Sequence, residues 1–298
     1  MSSQYIPCTL QTCPIQDGII AYQPNLAGNG FLLGLFALVL IVQLYLGFKY
    51  CTWTYSIGVC GGLILEVVGY VGRLQLHDDP FNFNFFIEYL VCLTIAPAFL
   101  SASIYVCFCR MILLGSPALS RIKPKFYSTI FITSDLICLI LQAAGGALTA
   151  TSGGRTSSAE NMRQTGINVM IAGLALQVVS LVTFITCAGD YILRCQKKQK
   201  TSRHVAEAPT PRKCLLTCLT ISTFAILIRS LYRTAELKDG FQGKFASNET
   251  TFMIFEGAMI AVACICLTIG HPGLWLGSPW KLRTGEVDTE FDTIHGRT

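Results

Sequence analysis

The chain has 298 residues and a formal net charge of +5, and 52% of its residues are hydrophobic while only 13% are charged. Because an average soluble domain carries about 25% charged residues, this composition excludes an ordinary soluble domain and indicates a protein of the lipid bilayer. The basic residues lie between apolar runs, so the positive charge reflects membrane topology, and no nucleic-acid partner is predicted.

Seven apolar runs follow one another along the chain, and each is long enough to cross a bilayer as a helix. The sequence therefore predicts an all-α membrane protein, a single bundle of seven transmembrane helices at 29–276, with its termini on opposite sides of the membrane. Segment 1–28 contains no basic stretch followed by an apolar core, so no cleavable signal peptide is predicted. The runs extend over about Phe31–Phe48, Tyr55–Val71, Phe85–Leu114, Phe126–Leu148, Ile167–Leu193, Leu215–Leu231 and Thr251–Ile269.

The distribution of basic residues predicts the orientation of the bundle. If the N-terminus lies outside, the inner segments hold 15 Lys and Arg residues and the outer segments hold seven. The positive-inside rule then makes segment 1–28 extracellular and the tail 277–298 cytosolic, and the polar, mixed-charge composition of the tail predicts disorder. The same orientation places the sequon at Asn248 in the last outer loop, which predicts a glycosylation site there.

The 14 cysteines and four histidines do not form a metal-binding pattern. Most cysteines, such as Cys60, Cys107 and Cys264, fall inside apolar runs and are predicted to be free thiols that pack as small hydrophobic side chains. Cys8 and Cys13 lie in the predicted extracellular segment, where a disulfide is one alternative and two free thiols are the other. No metal and no cofactor are predicted, since the chain has no CxxC pair and its histidines fall in loops, helix ends or tails.

Polar and charged residues interrupt the apolar runs, although a charge within a span costs roughly 3 kcal/mol on insertion scales. In the second run, Glu66, Tyr70 and Arg73 share one helix face because they are four and three residues apart. In the third run, Pro97 stands among small residues, which predicts a kink and close helix approach. The charged and amide residues of the runs together predict a polar seam inside the bundle: Glu66, Tyr70, Arg73, Asp135, Gln142, Gln177, Arg229, Arg233, Glu236 and Glu256.

Two pairs of these residues have both a functional and a structural interpretation. Glu66 and Arg73 either line a path for a polar head group or tie two helices together. For Arg229 and Arg233 the structural interpretation is favoured, because both lie toward the outer end of their span, where a long side chain can reach the membrane surface.

The acidic residues of the seam suggest a mechanism. Asp135 and Glu256 have no partner within their own helices, so each meets an arginine of another helix, carries a proton or faces water. Together with Glu66 they form a hypothesis in which buried carboxylates hold a cationic head group while an apolar tail stays near lipid.

The seam belongs to a series of short motifs that resemble the fungal lipid-translocating exporter family, seven-span proteins linked to resistance to aminocholesterol and to sphingoid long-chain bases. The resemblance covers about residues 22–275. One position differs, since Gln43 stands in the first span where many relatives have histidine. The motifs are, in order, Tyr22-Gln23-Pro24 with Asn29 and Phe31; Glu66-Val67-Val68-Gly69-Tyr70-Val71-Gly72-Arg73; Ala96-Pro97-Ala98-Phe99 with Ala102, Ser103, Ile104 and Tyr105; Asp135 with Gln142 and Gly145-Gly146; Gly173-Leu174 with Gln177; and Arg229, Arg233, Glu236, Gly240, Gly243, Asn248 and Glu249.

The resemblance implies a multi-pass protein of the plasma membrane, or of an internal membrane, that translocates or exports amphipathic lipids or toxic small molecules and so gives resistance. Its expected partners are membrane lipid and a lipid-like or hydrophobic cargo, and neither the residues nor the resemblance specifies an oligomeric state. No enzymatic activity is predicted. A seven-transmembrane receptor or sensor of lipid or membrane stress is the alternative function, because it has the same topology.

Overall fold

The computed structural model describes residues 22–114, 124–151, 157–201, 210–238 and 249–275. Nearly all of these residues are helical. The first six helices are α1 (Leu26–Tyr50), α2 (Trp53–Asp78), α3 (Phe83–Leu114), α4 (Pro124–Thr151), α5 (Ser157–Thr201) and α6 (Thr210–Lys238). The last stretch is interrupted and consists of α7 (Glu249–Phe252), a π-helical segment (Met253–Ala258), α8 (Met259–Ile269) and α9 (Pro272–Trp275).

Seven of these stretches are long and apolar enough to cross a membrane, which confirms the predicted all-α bundle of seven spans. Each span contains one of the predicted apolar runs. The spans are Leu26–Tyr50, Trp53–Asp78, Phe83–Leu114, Phe126–Thr151, Ser158–Lys198, Arg212–Lys238 and Glu249–Trp275.

The helices pack in the order in which they occur along the chain. Each of the first five helices contacts the next one, α6 contacts the seventh span through α8, and α8 returns to α1 and closes the ring. Two further contacts cross the ring, between α3 and α6 and between α2 and α8. These two contacts bring side chains from α2, α3, α6 and α8 together in the interior of the bundle.

Small residues allow the closest helix contacts, as expected in a membrane bundle, where helices associate mainly by close packing. At the α4–α5 contact, a Cβ on Gly145 would lie 2.6 Å from the carbonyl oxygen of Gly166. At the α2–α3 contact, a Cβ on Gly62 would lie 3.1 Å from the carbonyl oxygen of Ala96. A larger residue at these glycines would force the helices apart.

The beginning of α1 is fixed to neighbouring elements at one end of the bundle. The side chain of Asn25 caps α1 by accepting a hydrogen bond from the Gly28 backbone amide at 3.0 Å. The backbone amide of Asn25 donates to the Glu249 carboxylate at the start of the seventh span. His77, at the end of α2, contacts the Pro24 carbonyl at 2.7 Å. At the opposite end of the bundle, residues of α2 and the seventh span are likewise joined by hydrogen bonds.

Several predictions concern residues that lie outside the described ranges. These are the extracellular segment apart from its last residues, the tail 277–298, the Cys8–Cys13 disulfide and the Asn248 glycan. Cys60, Cys107 and Cys264 are buried free thiols, as predicted. The outside location of the N-terminus stays a prediction.

Candidate functional site

A cavity of about 460 Å³ lies between α3, α4, α5 and α6. Its wall comes from the first half of α3, the second half of α4 and the last turns of α6, which share one end of the bundle because successive helices run in opposite directions. The wall is mostly apolar, with polar groups at Thr94, Gln142, Thr149, Arg233 and Glu236. The apolar lining is formed by Phe83, Phe86, Ile87, Leu90, Val91, Ile95, Leu139, Ala143, Gly146, Ala147, Ala150, Met170, Leu174 and Leu237.

An ion pair forms the charged part of this wall. Arg233 and Glu236, three residues apart on α6, approach to 2.7 Å between Nη1 and Oε2, and their side chains are only 9% and 14% exposed. Nη2 of Arg233 also points to the Thr94 hydroxyl on α3 at 3.4 Å. The pair presents both a cation and an anion to a mostly apolar space.

Two amides form a second polar point at the cavity. Gln142 of α4 donates from Nε2 to Oε1 of Gln177 on α5 at 3.1 Å. Gln142 lines the cavity, whereas Gln177 lies behind it and is also buried. Oε1 of Gln142 is buried and has no hydrogen-bond partner among the described residues.

A second ion pair lies deeper in the bundle, behind the cavity wall. Arg229 and Glu256 approach to 2.5 Å and are 1% and 2% exposed. Nε of Arg233 lies 3.7 Å from the other oxygen of Glu256, so the two arginines share this carboxylate. The side chain of Glu256 comes from the π-helical segment, a local change of helix geometry that often occurs at functional sites.

Pro97 explains the second contact of Arg229. The guanidinium donates at 2.5 Å to the carbonyl of Leu93, which is four residues before Pro97 on α3. An α-helical carbonyl normally accepts from the amide four residues later, but proline has no amide hydrogen. The Leu93 carbonyl is thus left free by Pro97 and is satisfied by an arginine from another helix.

Glu66 and Tyr70 complete the deep cluster. Glu66 is 2% exposed and lies within electrostatic range of Arg229, Arg233 and Glu256. Its Oε1, like the hydroxyl of Tyr70, has no hydrogen-bond partner among the described residues. We define the deep cluster as Glu66, Tyr70, Arg229, Arg233, Glu236 and Glu256, of which Arg233 and Glu236 reach the cavity.

Arg73 is buried in a different environment, although it shares the helix face of Glu66. It donates from Nε to Asn29 at 2.9 Å and from Nη2 to the Tyr22 hydroxyl at 3.2 Å. Its guanidinium also lies 3.8 Å from the centre of the Phe252 ring, a cation–π contact. Within the described ranges Arg73 therefore ties α2 to α1 and to the seventh span, as in the structural alternative for this residue.

Asp135 is the other seam residue outside the deep cluster. It is 4% exposed and accepts a hydrogen bond from the Tyr105 hydroxyl on α3 at 3.1 Å. The Tyr105 ring packs against Phe184 and Phe131, with centroids 4.6 and 5.5 Å away. Asp135 is thus held by a neutral donor in an aromatic environment.

The structure buries nine of the ten predicted seam residues, and Glu236 is half-buried. Six form the deep cluster, Gln142 and Gln177 are joined at the cavity, and Arg73 and Asp135 lie elsewhere. Glu256 meets arginines of another helix, which was one of three alternatives. The favoured interpretation that Arg229 and Arg233 reach the membrane surface is wrong, because both are buried and paired with carboxylates.

Sequence reasoning missed Thr94 and the Leu93 carbonyl. A lone threonine in an apolar run carries no recognisable signal, and it lies at the cavity only because α3 and α6 cross there. The carbonyl had a signal in Pro97, since a proline inside a helix always frees the carbonyl four residues earlier. Among the described residues, no group of three or more His, Cys, Asp and Glu side chains is placed to hold a metal ion.

The arrangement has the chemistry of a binding site for an amphipathic molecule. An apolar space accepts a hydrocarbon tail, and buried charges with good partners at its wall can meet a polar head group without first being dehydrated.

Comparison with known proteins is consistent with this arrangement. Residues 59–279 match the family model described as RTA1 like protein. The sphingoid long-chain base transporter RSB1 of Saccharomyces cerevisiae strain S288c is 29% identical over 303 residues, which cover 90% of this chain and 77% of the relative.

Two further relatives are shorter matches. Protein RTM1 of S. cerevisiae is 30% identical over 210 residues, covering 70% of this chain and 64% of the relative. Protoporphyrin uptake protein 1 of S. cerevisiae is 29% identical over 212 residues, covering 70% and 66%. No solved structure matches the chain.

Proposed function

Since this chain belongs to the family of RTA1-like proteins, we propose that it moves amphipathic lipids or toxic small molecules with a cationic head group across the membrane and so gives resistance. The expected relation to the lipid-translocating exporters is confirmed by the family match, and the names of two relatives describe transport of a sphingoid base and uptake of a porphyrin. Sphingoid bases and sterol amines are the cargo class that we propose for this chain.

The observation that carries the proposal is the apolar cavity with an ion pair in its wall. A long hydrocarbon tail fits along the side chains of α3 and α4, whereas an ammonium group fits next to the Glu236 carboxylate. Such a molecule satisfies both the apolar and the polar parts of the wall.

This assignment changes the head-group hypothesis drawn from the sequence. Of the four carboxylates in question, only Glu236 lines the cavity, whereas Glu66, Asp135 and Glu256 do not. We therefore assign the head-group contact to Glu236 and a supporting role to Glu256, which keeps Arg229 and Arg233 in place from behind.

The predicted orientation gives the proposal a direction. With the N-terminus outside, the start of α3 and the end of α6 lie at the outer side, and the cavity falls in the outer half of the membrane. We propose that cargo leaves through this half and that the plasma membrane is the site of action.

Glu236→Gln tests the proposal in liposomes that contain the purified full chain and a labelled long-chain amino alcohol. The amide keeps the shape of the side chain but removes its charge, so we expect transport to fall about tenfold, equivalent to 1.4 kcal/mol of lost interaction. The control is Glu160→Gln, since Glu160 and Arg163 form an ion pair of the same i,i+3 spacing that is 64% and 52% exposed.

Three outcomes are informative. Reduced transport by E236Q with normal transport by E160Q supports the proposal. Equal transport by both variants and the unaltered chain contradicts the head-group site. Binding of the amino alcohol without movement by the unaltered chain would favour the receptor alternative over a transporter.

A further inference from the structure

The deep cluster contains one more acid than base. Arg229 and Arg233 are balanced by Glu256 and Glu236, with which they form ion pairs. Glu66 lies in the same electrostatic environment, and its Oε1 has no hydrogen-bond partner among the described residues. The side chain is 2% exposed, so it is almost fully removed from bulk water.

Among the described residues, no cation forms an ion pair with Glu66. Arg73, seven residues further along α2, is held by Asn29, the Tyr22 hydroxyl and the Phe252 ring. The charged groups near Glu66 are two arginines and the carboxylate of Glu256, with which both arginines are already paired. The other groups near it are neutral hydroxyls and thiols. An ionised carboxylate that is buried without a counter-charge is costly, and the protonated acid avoids this cost. The facing groups are Arg229 and Arg233 from α6, Glu256 from the π-helical segment, Tyr70 from α2, Cys92 from α3 and Cys264 from α8.

We propose that Glu66 is a proton-binding site whose proton is exchanged for the positive charge of the cargo, so that cargo movement is coupled to a proton gradient. This inference rests on the proposed function, because it requires that a cation enters the cavity at Glu236.

The charges balance at each stage of this exchange. With a proton on Glu66, two arginines and two carboxylates make the deep cluster neutral. When the cargo cation pairs with Glu236, Arg233 moves fully onto Glu256, from which it is already only 3.7 Å away. Arg229 then turns from Glu256 to Glu66, the O–H bond of Glu66 breaks with its electron pair left on the carboxylate, and the proton leaves to water. One positive charge has entered and one has left.

The transport test uses the full chain in liposomes with a gradient of one pH unit, an internal pH-sensitive dye and a labelled long-chain alcohol with a quaternary ammonium group. This cargo has no proton of its own to exchange, so it does not follow the pH gradient without a carrier. One pH unit corresponds to 1.36 kcal/mol, so exchange of one proton per cargo supports about tenfold accumulation. We expect the unaltered chain to reach that ratio and to move protons when cargo is added. Glu66→Gln, which resembles the protonated acid, should still equilibrate cargo but should not accumulate it.

Asp135→Asn is the matched control. Asp135 is also buried and also has one oxygen without a partner in the described part of the chain, but its other oxygen accepts from Tyr105 and it lies away from the cavity. D135N should keep both accumulation and proton movement. Accumulation by E66Q equal to that of the unaltered chain would overturn the proposal while leaving the proposed function intact.

Infrared spectroscopy of the purified protein gives a second measurement that does not depend on transport. We expect a carbonyl stretching band of a protonated carboxylic acid that disappears in E66Q and remains in D135N. A band from Asp135, which is also buried without a counter-charge within the described ranges, is identified by its loss in D135N. An E66Q spectrum identical in this region to that of the unaltered chain would overturn the proton site. If the unaltered chain moves no cargo, the proposed function fails, and this band alone decides whether Glu66 holds a proton. Glu66→Asp covers the case in which E66Q does not fold: a shifted band supports the site, and an unchanged band contradicts it.

Discussion

The bundle buries carboxylates in two different settings. In the deep cluster, Glu256 is shared by Arg229 and Arg233 and lies directly behind a cavity wall. Between α3, α4 and α5, Asp135 accepts a hydrogen bond from Tyr105 among packed aromatic rings. Both acids are almost fully buried, yet one is held by cations and the other by a neutral hydroxyl.

This difference in partners indicates which buried charges can take part in transport. Ion pairs that share a carboxylate can exchange partners with small movements, because an alternative partner of the correct sign is already within reach. A carboxylate held by one hydroxyl among close-packed rings has no second ionic partner, so its role is to join helices. We therefore assign cargo chemistry to the deep cluster and a packing role to Asp135.

The largest expected effect comes from breaking the deep ion pair. Arg229→Leu leaves Glu256 with a weaker partner and the Leu93 carbonyl with none, and removal of one member of a buried pair typically costs about 3–5 kcal/mol. The free energy of unfolding, measured by denaturant titration in detergent, should fall by this amount. The double variant Arg229→Leu with Glu256→Leu should recover most of the loss, since it removes both charges.

The control for this substitution is Arg163→Leu. Arg163 pairs with Glu160 at 2.9 Å, but both side chains are exposed, and such surface pairs contribute about 0–1 kcal/mol. If R229L cost no more stability than R163L or D135N, the distinction between the two settings of buried carboxylates would not hold.

A smaller effect is expected from filling the cavity. Of the two settings of buried carboxylates, only the deep cluster borders this cavity. Gly146 lies in the wall, and a Cβ added there would meet only Met170 Sδ, at 4.0 Å. Gly146→Leu should therefore fold but occupy part of the tail site, which would lower transport about tenfold, or 1.4 kcal/mol. Gly189→Leu is the control, since a Cβ there meets no atom within 4 Å and Gly189 does not line the cavity. Unchanged transport by G146L would place the tail elsewhere.

Much of the fold was predictable, because the cost of placing polar groups in lipid constrains the sequence strongly. A run of apolar residues identifies each span, and a charge inside a run indicates the side that faces the interior. For this reason Glu66 and Asp135 could be assigned to a buried seam from their positions alone.

The partners of these residues were not predictable, since they depend on how neighbouring helices are rotated and shifted. Helical spacing places Arg73 and Glu66 on one face, yet α1 supplies Asn29 to Arg73, and α6 supplies arginines near Glu66. The π-helical segment changes the direction of Glu256, and no residue pattern in it signals this change. The cavity could not be predicted from the sequence either, because it is a space between helices.

The smallest effect is expected at Asp135 itself. Asp135→Asn keeps an oxygen that can accept from the Tyr105 hydroxyl, so the hydrogen bond that joins α4 to α3 persists. Because a neutral hydrogen bond contributes about 0.5–1.5 kcal/mol, the free energy of unfolding should change by less than about 1 kcal/mol. Transport of the amino alcohol should stay within about twofold of the unaltered chain, since Asp135 does not line the cavity. A loss of transport in D135N as large as that in E236Q, at equal stability, would show that both settings of buried carboxylates handle cargo, because no packing role explains such a loss.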